Sequence, residues 1–183
     1  MTSTAPADHP APSPASGDTA FPPTTIEAFL RFCAGEWMSL RSRFELEPGA
    51  SSAQATAGEV ANDEQGDEWH TSERGELVVA YLEPTSDDSP GGLSVGPKGA
   101  TPQQLLFDGN GRFAAGGRSG SWQLWPDGSL ELILREPGRE LRERIWFTKP
   151  NLRLRSTVEN LADGQPGRAS FSSEIRRVSR PAA

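Results

Sequence analysis

Arg153 and Arg155 stand two residues apart behind a Pro-Asn turn, at the end of a segment that begins at Glu143. If Leu152 to Val158 is a strand, side chains alternate between its faces, so both guanidinium groups point the same way. Leu152 and Leu154 then occupy the other face. A guanidinium presents a rigid fork of donors that matches a carboxylate, so two convergent arginines suit an anion with two separated carboxylates. Taken alone, the same Arg-x-Arg pattern is better read as a solvated strand face, and the surrounding sequence has to decide. Glu174 and Arg176 share one face of a second candidate strand near the C-terminus. Glu174 could pair with an arginine or approach a ligand bound beside it, because a buried carboxylate needs a partner of one kind or the other.

The elements that must position these groups can be read from periodicity and turns. Thr24-Thr25 offers an N-cap, and Ile26, Phe29, Leu30 and Cys33 recur at helical spacing until Gly35. Beyond Trp37 the pattern changes to short strands. Trp37 to Leu46, Leu77 to Leu82, Leu105 to Phe107, Trp122 to Trp125, Leu130 to Leu134, Glu143 to Phe147, Leu152 to Glu159 and Ala169 to Val178 each read as strand. Between them lie Asp108-Gly-Asn-Gly111, Pro126-Asp-Gly128, Lys149-Pro-Asn151 and Asp163-Gly164, all of turn composition. Strands joined by tight turns without intervening helices predict an antiparallel meander closed into a barrel. One helix ahead of such a meander suits a lipocalin-like or fatty-acid-binding-protein-like barrel. The Pro- and Gly-rich stretch Glu83 to Pro102 reads as a long loop at the barrel mouth.

Composition narrows the function classes. The 183 residues fit one domain, expected over residues 25–180, behind a Pro/Ala/Ser/Thr-rich tail, residues 1–24, expected to be disordered. A net charge of −7 argues against non-specific nucleic-acid binding, which needs a basic surface. No apolar run approaches the length of a membrane span, so no membrane partner is expected, and the chain reads as cytoplasmic. Cys33 is the only cysteine and lies on the apolar face of the helix, where core packing is the better reading. His9 and His70 are the only histidines, which leaves neither a zinc ligand set nor a supported catalytic triad.

Three blocks of this sequence resemble a known family. The run Glu143-Arg-Ile-Trp-Phe-x-x-Pro-Asn-Leu-Arg-Leu-Arg155, followed by Phe171-Ser-Ser-Glu-Ile-Arg176, is similar to the C-terminal signature of the S-type phycobiliprotein lyases, also called bilin chromophore lyases. Phe29, Phe32, Gly35, Glu36, Trp37, Ser39 and Arg41 resemble that family's opening pattern, and Arg43-Phe44 stands where many relatives carry a histidine pair. The resemblance implies the barrel fold and a chromophore lyase that joins a phycobilin to a cysteine of a phycobiliprotein apo-subunit through a thioether. It implies no cofactor: a phycobilin such as phycocyanobilin or phycoerythrobilin is the substrate. Carried over residue by residue, Arg153 and Arg155 would hold the propionates with Arg41 assisting. Glu174 would be the catalytic residue that polarises the pyrrole nitrogens. A homodimer, or a heterodimer with a related lyase, is the implied assembly. A non-catalytic tetrapyrrole carrier, or a subunit active only beside another lyase, shares the same pocket and remains the alternative.

Overall fold

Thr25 opens the first element: its hydroxyl accepts the Ala28 amide at 3.2 Å, and helix α1 follows over Ile26–Cys33. Phe29, Leu30 and Cys33 are fully buried on one side of it, as the spacing predicts. The computed structural model describes residues 21–45 and 70–178. The expected tail therefore lies almost wholly outside the described residues, as do His9 and Trp69.

Among the described residues, ten antiparallel strands close into a barrel. In chain order they are β1 (Gly35–Glu45), β2 (His70–Leu82), β3 (Gly91–Pro97), β4 (Gln103–Phe107), β5 (Arg112–Ala115), β6 (Arg118–Leu124), β7 (Leu130–Glu136), β8 (Arg139–Lys149), β9 (Leu152–Leu161) and β10 (Pro166–Arg176). Each strand from β2 onward pairs with its sequence neighbour, and β1 pairs with both β2 and β10 to close the ring. The predicted turns form. Asp108 Oδ1 accepts the Asn110 and Arg112 amides to shape the β4–β5 hairpin, and Asp127 Oδ1 does the same for Ser129 between β6 and β7.

One expectation is corrected. The stretch Glu83 to Pro102, read as a long loop, contains β3, which is hydrogen-bonded to β2 on one side and β4 on the other. Its glycines hid it, because glycine usually weakens a strand. Here they permit close strand approach: a Cβ on Gly92 would sit 2.6 Å from the Leu105 carbonyl oxygen. Leu93 and Val95, two residues apart, still turn toward the core.

Helix α1 seals one end of the barrel. Phe29 and Phe32 meet Phe147 edge-on at 5.3 and 4.8 Å between ring centroids, and the Arg176 guanidinium donates to the Phe32 and Ala34 carbonyls where the helix ends. Those carbonyls have no partner within the helix, so a cation there satisfies both hydrogen bonding and the helix dipole. Between α1 and the far strands lies the apolar core, with Phe107, Phe113, Leu130, Leu132, Leu134 and Ile145 at its centre.

Candidate active site

Period-two alternation sends Trp37, Ser39 and Arg41 of β1 inward, with Ser172, Glu174 and Arg176 of β10 and Arg153 and Arg155 of β9. Register brings them level: Arg41 lies opposite Ser172, Ser172 opposite Arg155, and Glu174 opposite Arg153. The sequence expectation that Arg153 and Arg155 share a face holds, with half-buried Leu152 and Leu154 on the other face.

The two arginines are not free. Arg153 Nε donates to Glu174 Oε2 at 2.5 Å, and the two side chains are only 1% and 3% exposed. Glu174 Oε1 lies 3.8 Å from an Arg155 Nη, so one carboxylate bridges both guanidinium groups. Arg155 also faces Glu143 on β8, with Nε 3.0 Å from Oε1, close enough for charge attraction but not aligned as a hydrogen bond. Burial works against the charge on Arg155, yet Glu143 and Glu174 outweigh it and hold its pKa above the ordinary value. The result is a buried, charge-balanced set of two arginines and two glutamates. Of the two readings left open for Glu174, the pairing with arginine is observed, and the same carboxylate also lines a cavity.

That cavity, about 190 Å³, is bounded by Ser39, Arg41, Leu77, Arg155, Ser172 and Glu174, with Glu73 and Glu76 beside them. The charged groups around it nearly all have partners. Glu73 is held by both Arg43 nitrogens at 2.8 and 2.9 Å, and Glu76 by Arg177 and Lys98. Arg155 and Glu174 belong to the buried set. Arg41 alone among these groups has no partner among the described residues. Arg153, in contrast, is not part of the cavity wall; it stands behind Glu174.

A second cavity of about 180 Å³ opens on the opposite wall, walled mostly by Leu105, Phe113, Ala115, Leu132, Leu134 and Leu141, with Gln103 and Arg118 at its edge, and reaching Glu143. The Arg155–Glu143 pair thus separates a polar half from an apolar half. Sequence reading assigned no role to Glu143, although it opens the quoted C-terminal run. The signal that could have found it is its alternation with Ile145 and Phe147, which puts a carboxylate on a core-facing strand face.

Other residues take structural places. Cys33 is fully buried and its thiol pKa is pushed up by that burial, with the Arg153 charge opposing. Trp37 is fully buried, with its indole N–H bonded to the Cys33 carbonyl at 2.9 Å. Trp146 faces outward against Phe171, and Trp122 packs on Phe107. No cluster suited to a metal ion occurs among the described residues, and no helix there is long and apolar enough to cross a membrane.

Comparison with known proteins agrees with this architecture. A model of the CpeS-like protein family matches residues 110–177, which contain Glu143, both arginines and Glu174. The chain is 43% identical over 164 residues to chromophore lyase CpcS/CpeS 1 of Paulinella chromatophora, spanning 88% of this chain and 94% of that one. It is 45% identical over 62 residues to chromophore lyase CpcS/CpeS 2 of Synechococcus sp. (strain JA-3-3Ab), about a third of each chain. The fold is similar to that of the S-type phycobiliprotein lyase CpeS from Guillardia theta, with a TM-score of 0.59 at 18% identity over 85% of this chain and 94% of that one. On the strength of the near full-length match to the Paulinella protein, this chain belongs to the CpcS/CpeS chromophore lyase family.

Proposed function

We propose that this chain is a bilin lyase: it holds a phycobilin in the barrel mouth and delivers it to a cysteine of a phycobiliprotein subunit, forming a thioether. The single observation that carries the site assignment is Arg41, a guanidinium without a partner among the described residues, on a cavity wall whose other charges are paired. A propionate supplies the carboxylate it lacks, at the cost of no existing ion pair. Arg155 stands on the same wall and adds a second, shared positive charge. This reading shifts the main carboxylate anchor from the Arg153/Arg155 pair to Arg41 with Arg155.

Size supports a ligand that stays partly outside. Each cavity is smaller than the roughly 300–1,000 Å³ that encloses a drug-sized ligand. A four-ring chromophore would lie across the mouth, with propionates toward Arg41 and uncharged rings toward Phe113 and Leu132. A lyase needs this arrangement, because the acceptor cysteine must reach the exocyclic ethylidene carbon of ring A.

In the reaction the acceptor thiolate attacks that carbon, a carbon–sulfur bond forms, and the ethylidene π electrons move into ring A, where a proton is taken up. Glu174, on the cavity wall, accepts hydrogen bonds from the pyrrole N–H groups. A carboxylate there favours the protonated tetrapyrrole, which is the more electrophilic form. The rest of the effect is positioning, since a flexible chromophore is held with one face toward the incoming thiol. The chemistry needs a reduced acceptor thiol, so we place it in a reducing compartment such as the cytoplasm. Self-association, as homodimer or as heterodimer with a related lyase, belongs to the same reading.

Co-expression with a bilin-producing pathway and a panel of phycobiliprotein apo-subunits tests the proposal. A subunit that becomes covalently fluorescent on a denaturing gel only when this chain is present supports it. Bilin that stays bound to this chain while every subunit remains unlabelled overturns the lyase reading in favour of a carrier.

A further inference from the structure

Trp37 packs against two guanidinium groups. Arg153 lies over its ring at 4.5 Å from the centroid and Arg176 at 4.3 Å, and all three side chains point into the sealed end of the barrel. Two cations this close in a low-dielectric interior repel, and burial together with the charge of Arg153 does lower the Arg176 pKa. The indole π system attracts both cations, which offsets part of the repulsion and holds each guanidinium against the ring. Arg176 is tied in turn to the Phe32 and Ala34 carbonyls at the end of α1, and the Trp37 N–H to the Cys33 carbonyl. On the other side, Arg153 Nε carries Glu174, while its Nη2 is buried with no hydrogen-bond partner among the described residues. Arg153 is therefore held by its hydrogen bond to Glu174 and by the Trp37 ring, with the buried Cys33 thiol beside it.

We infer that Trp37 and Arg176 are positioning residues for Glu174, acting through Arg153: the end of α1 holds Arg176, Arg176 and Arg153 both pack on Trp37, and Arg153 aims the carboxylate at the cavity. The inference rests on the bilin reading given above for what Glu174 does, but the mechanical link can be read without bilin. None of Trp37, Arg176 or Arg153 borders the polar cavity, so losing the stack should alter the chromophore's environment more than its retention.

The test uses the full chain, phycocyanobilin as probe, and the variants Trp37→Leu, Trp37→Phe and Arg176→Met. Trp37→Leu should bind the bilin within about threefold of the parent affinity, because Arg41 and Arg155 are untouched. Its long-wavelength absorption band should move in the direction seen for Glu174→Gln, and transfer should slow about tenfold, the size expected on losing a desolvated cation–π contact. Trp37→Phe keeps an aromatic face and should restore most of both. Folded Trp37→Leu with the parental spectrum and rate overturns the inference. If Trp37→Leu does not fold, Arg176→Met decides: a shifted band supports the link and an unshifted one refutes it. In ligand-free protein the Arg153 Nε–H resonance should be slow to exchange in the parent and Trp37→Phe, and fast in Trp37→Leu or, where that chain does not fold, in Arg176→Met. Should the parent bind no bilin, the lyase proposal falls while this exchange pattern still decides the positioning role.

Discussion

The two walls of the barrel interior solve opposite problems. On the β1, β9 and β10 side, the inward positions include Ser39, Arg41, Arg153, Arg155, Ser172 and Glu174, beside the buried Trp37. On the β4 to β8 side they are mostly apolar, Leu105, Phe113, Ala115, Leu132, Leu134 and Leu141, with Gln103, Arg118 and Glu143 at the edge of the same cavity. The apolar wall gains free energy from every side chain it removes from water, about 1.5–3 kcal/mol for a large one. The charged wall gains little, because desolvating two ions costs about as much as their attraction returns. Where the two walls meet, Glu143 Oε1, Arg153 Nη2 and Arg155 Nε are buried without hydrogen bonds among the described residues, each a cost of about 1–3 kcal/mol that the Arg155–Glu143 attraction offsets in part. A fold kept only for stability would not build the second wall. The difference teaches that the apolar wall holds the barrel together and the charged wall spends some of that stability on chemistry.

Breaking one partner of the buried pair should give the largest effect. Glu174→Gln strands Arg153 in the interior, and denaturant unfolding should show a loss of about 3–5 kcal/mol together with a shifted bilin spectrum and slowed transfer. Replacing both partners sharpens the point: Arg153→Met with Glu174→Leu should recover or exceed the parental stability and still fail in transfer. If the double variant is as unstable as the single one, the charged wall is structural and the contrast collapses. Phe113→Ala, on the other wall, should cost about 3–5 kcal/mol in the same unfolding assay. Its transfer rate per folded molecule should nevertheless remain measurable, unlike that of the double variant.

Arg41→Gln should separate binding from folding. Stability should change by no more than about 0.5 kcal/mol, while bilin titration should show affinity falling about tenfold to a hundredfold, the worth of one charge-assisted contact. Equal affinity would remove Arg41 from the site. The smallest effect concerns Cys33. Burial raises its pKa, so the folded state keeps a proton that the unfolded thiol releases above about pH 8.5. The unfolded state then binds fewer protons, so stability should decline slightly as pH rises past that value. Cys33→Ala should abolish this slope in a pH series of melts, whatever its own effect on packing.

Much of the frame was legible before any coordinates. Thr25, the spacing of Ile26 to Cys33, and the turn residues at Asp108, Pro126, Pro150 and Asp163 act over a few residues, so the helix and most hairpins could be read directly. β3 could not, because its glycines look like loop composition until neighbouring strands close on them. The hairpin turns at Gly116-Gly117 and Pro137-Gly138 likewise passed unread between strands that were themselves short or only partly marked.

For the site, the sequence by itself determined that Arg153 and Arg155 would lie on one strand face and Glu174 and Arg176 on another. Alternation is a property of a single strand and needs no partner to be true. Only the tertiary structure decided who faces whom. It set Glu174 opposite Arg153, placed Glu143 against Arg155, put Trp37 against two guanidinium groups, and left Arg41 as the charge on the cavity wall without a partner among the described residues. Those pairings join residues up to 139 positions apart, as between Trp37 and Arg176. They follow from interstrand register and from the closure of β1 on β10, neither of which is encoded in the local pattern of any one strand.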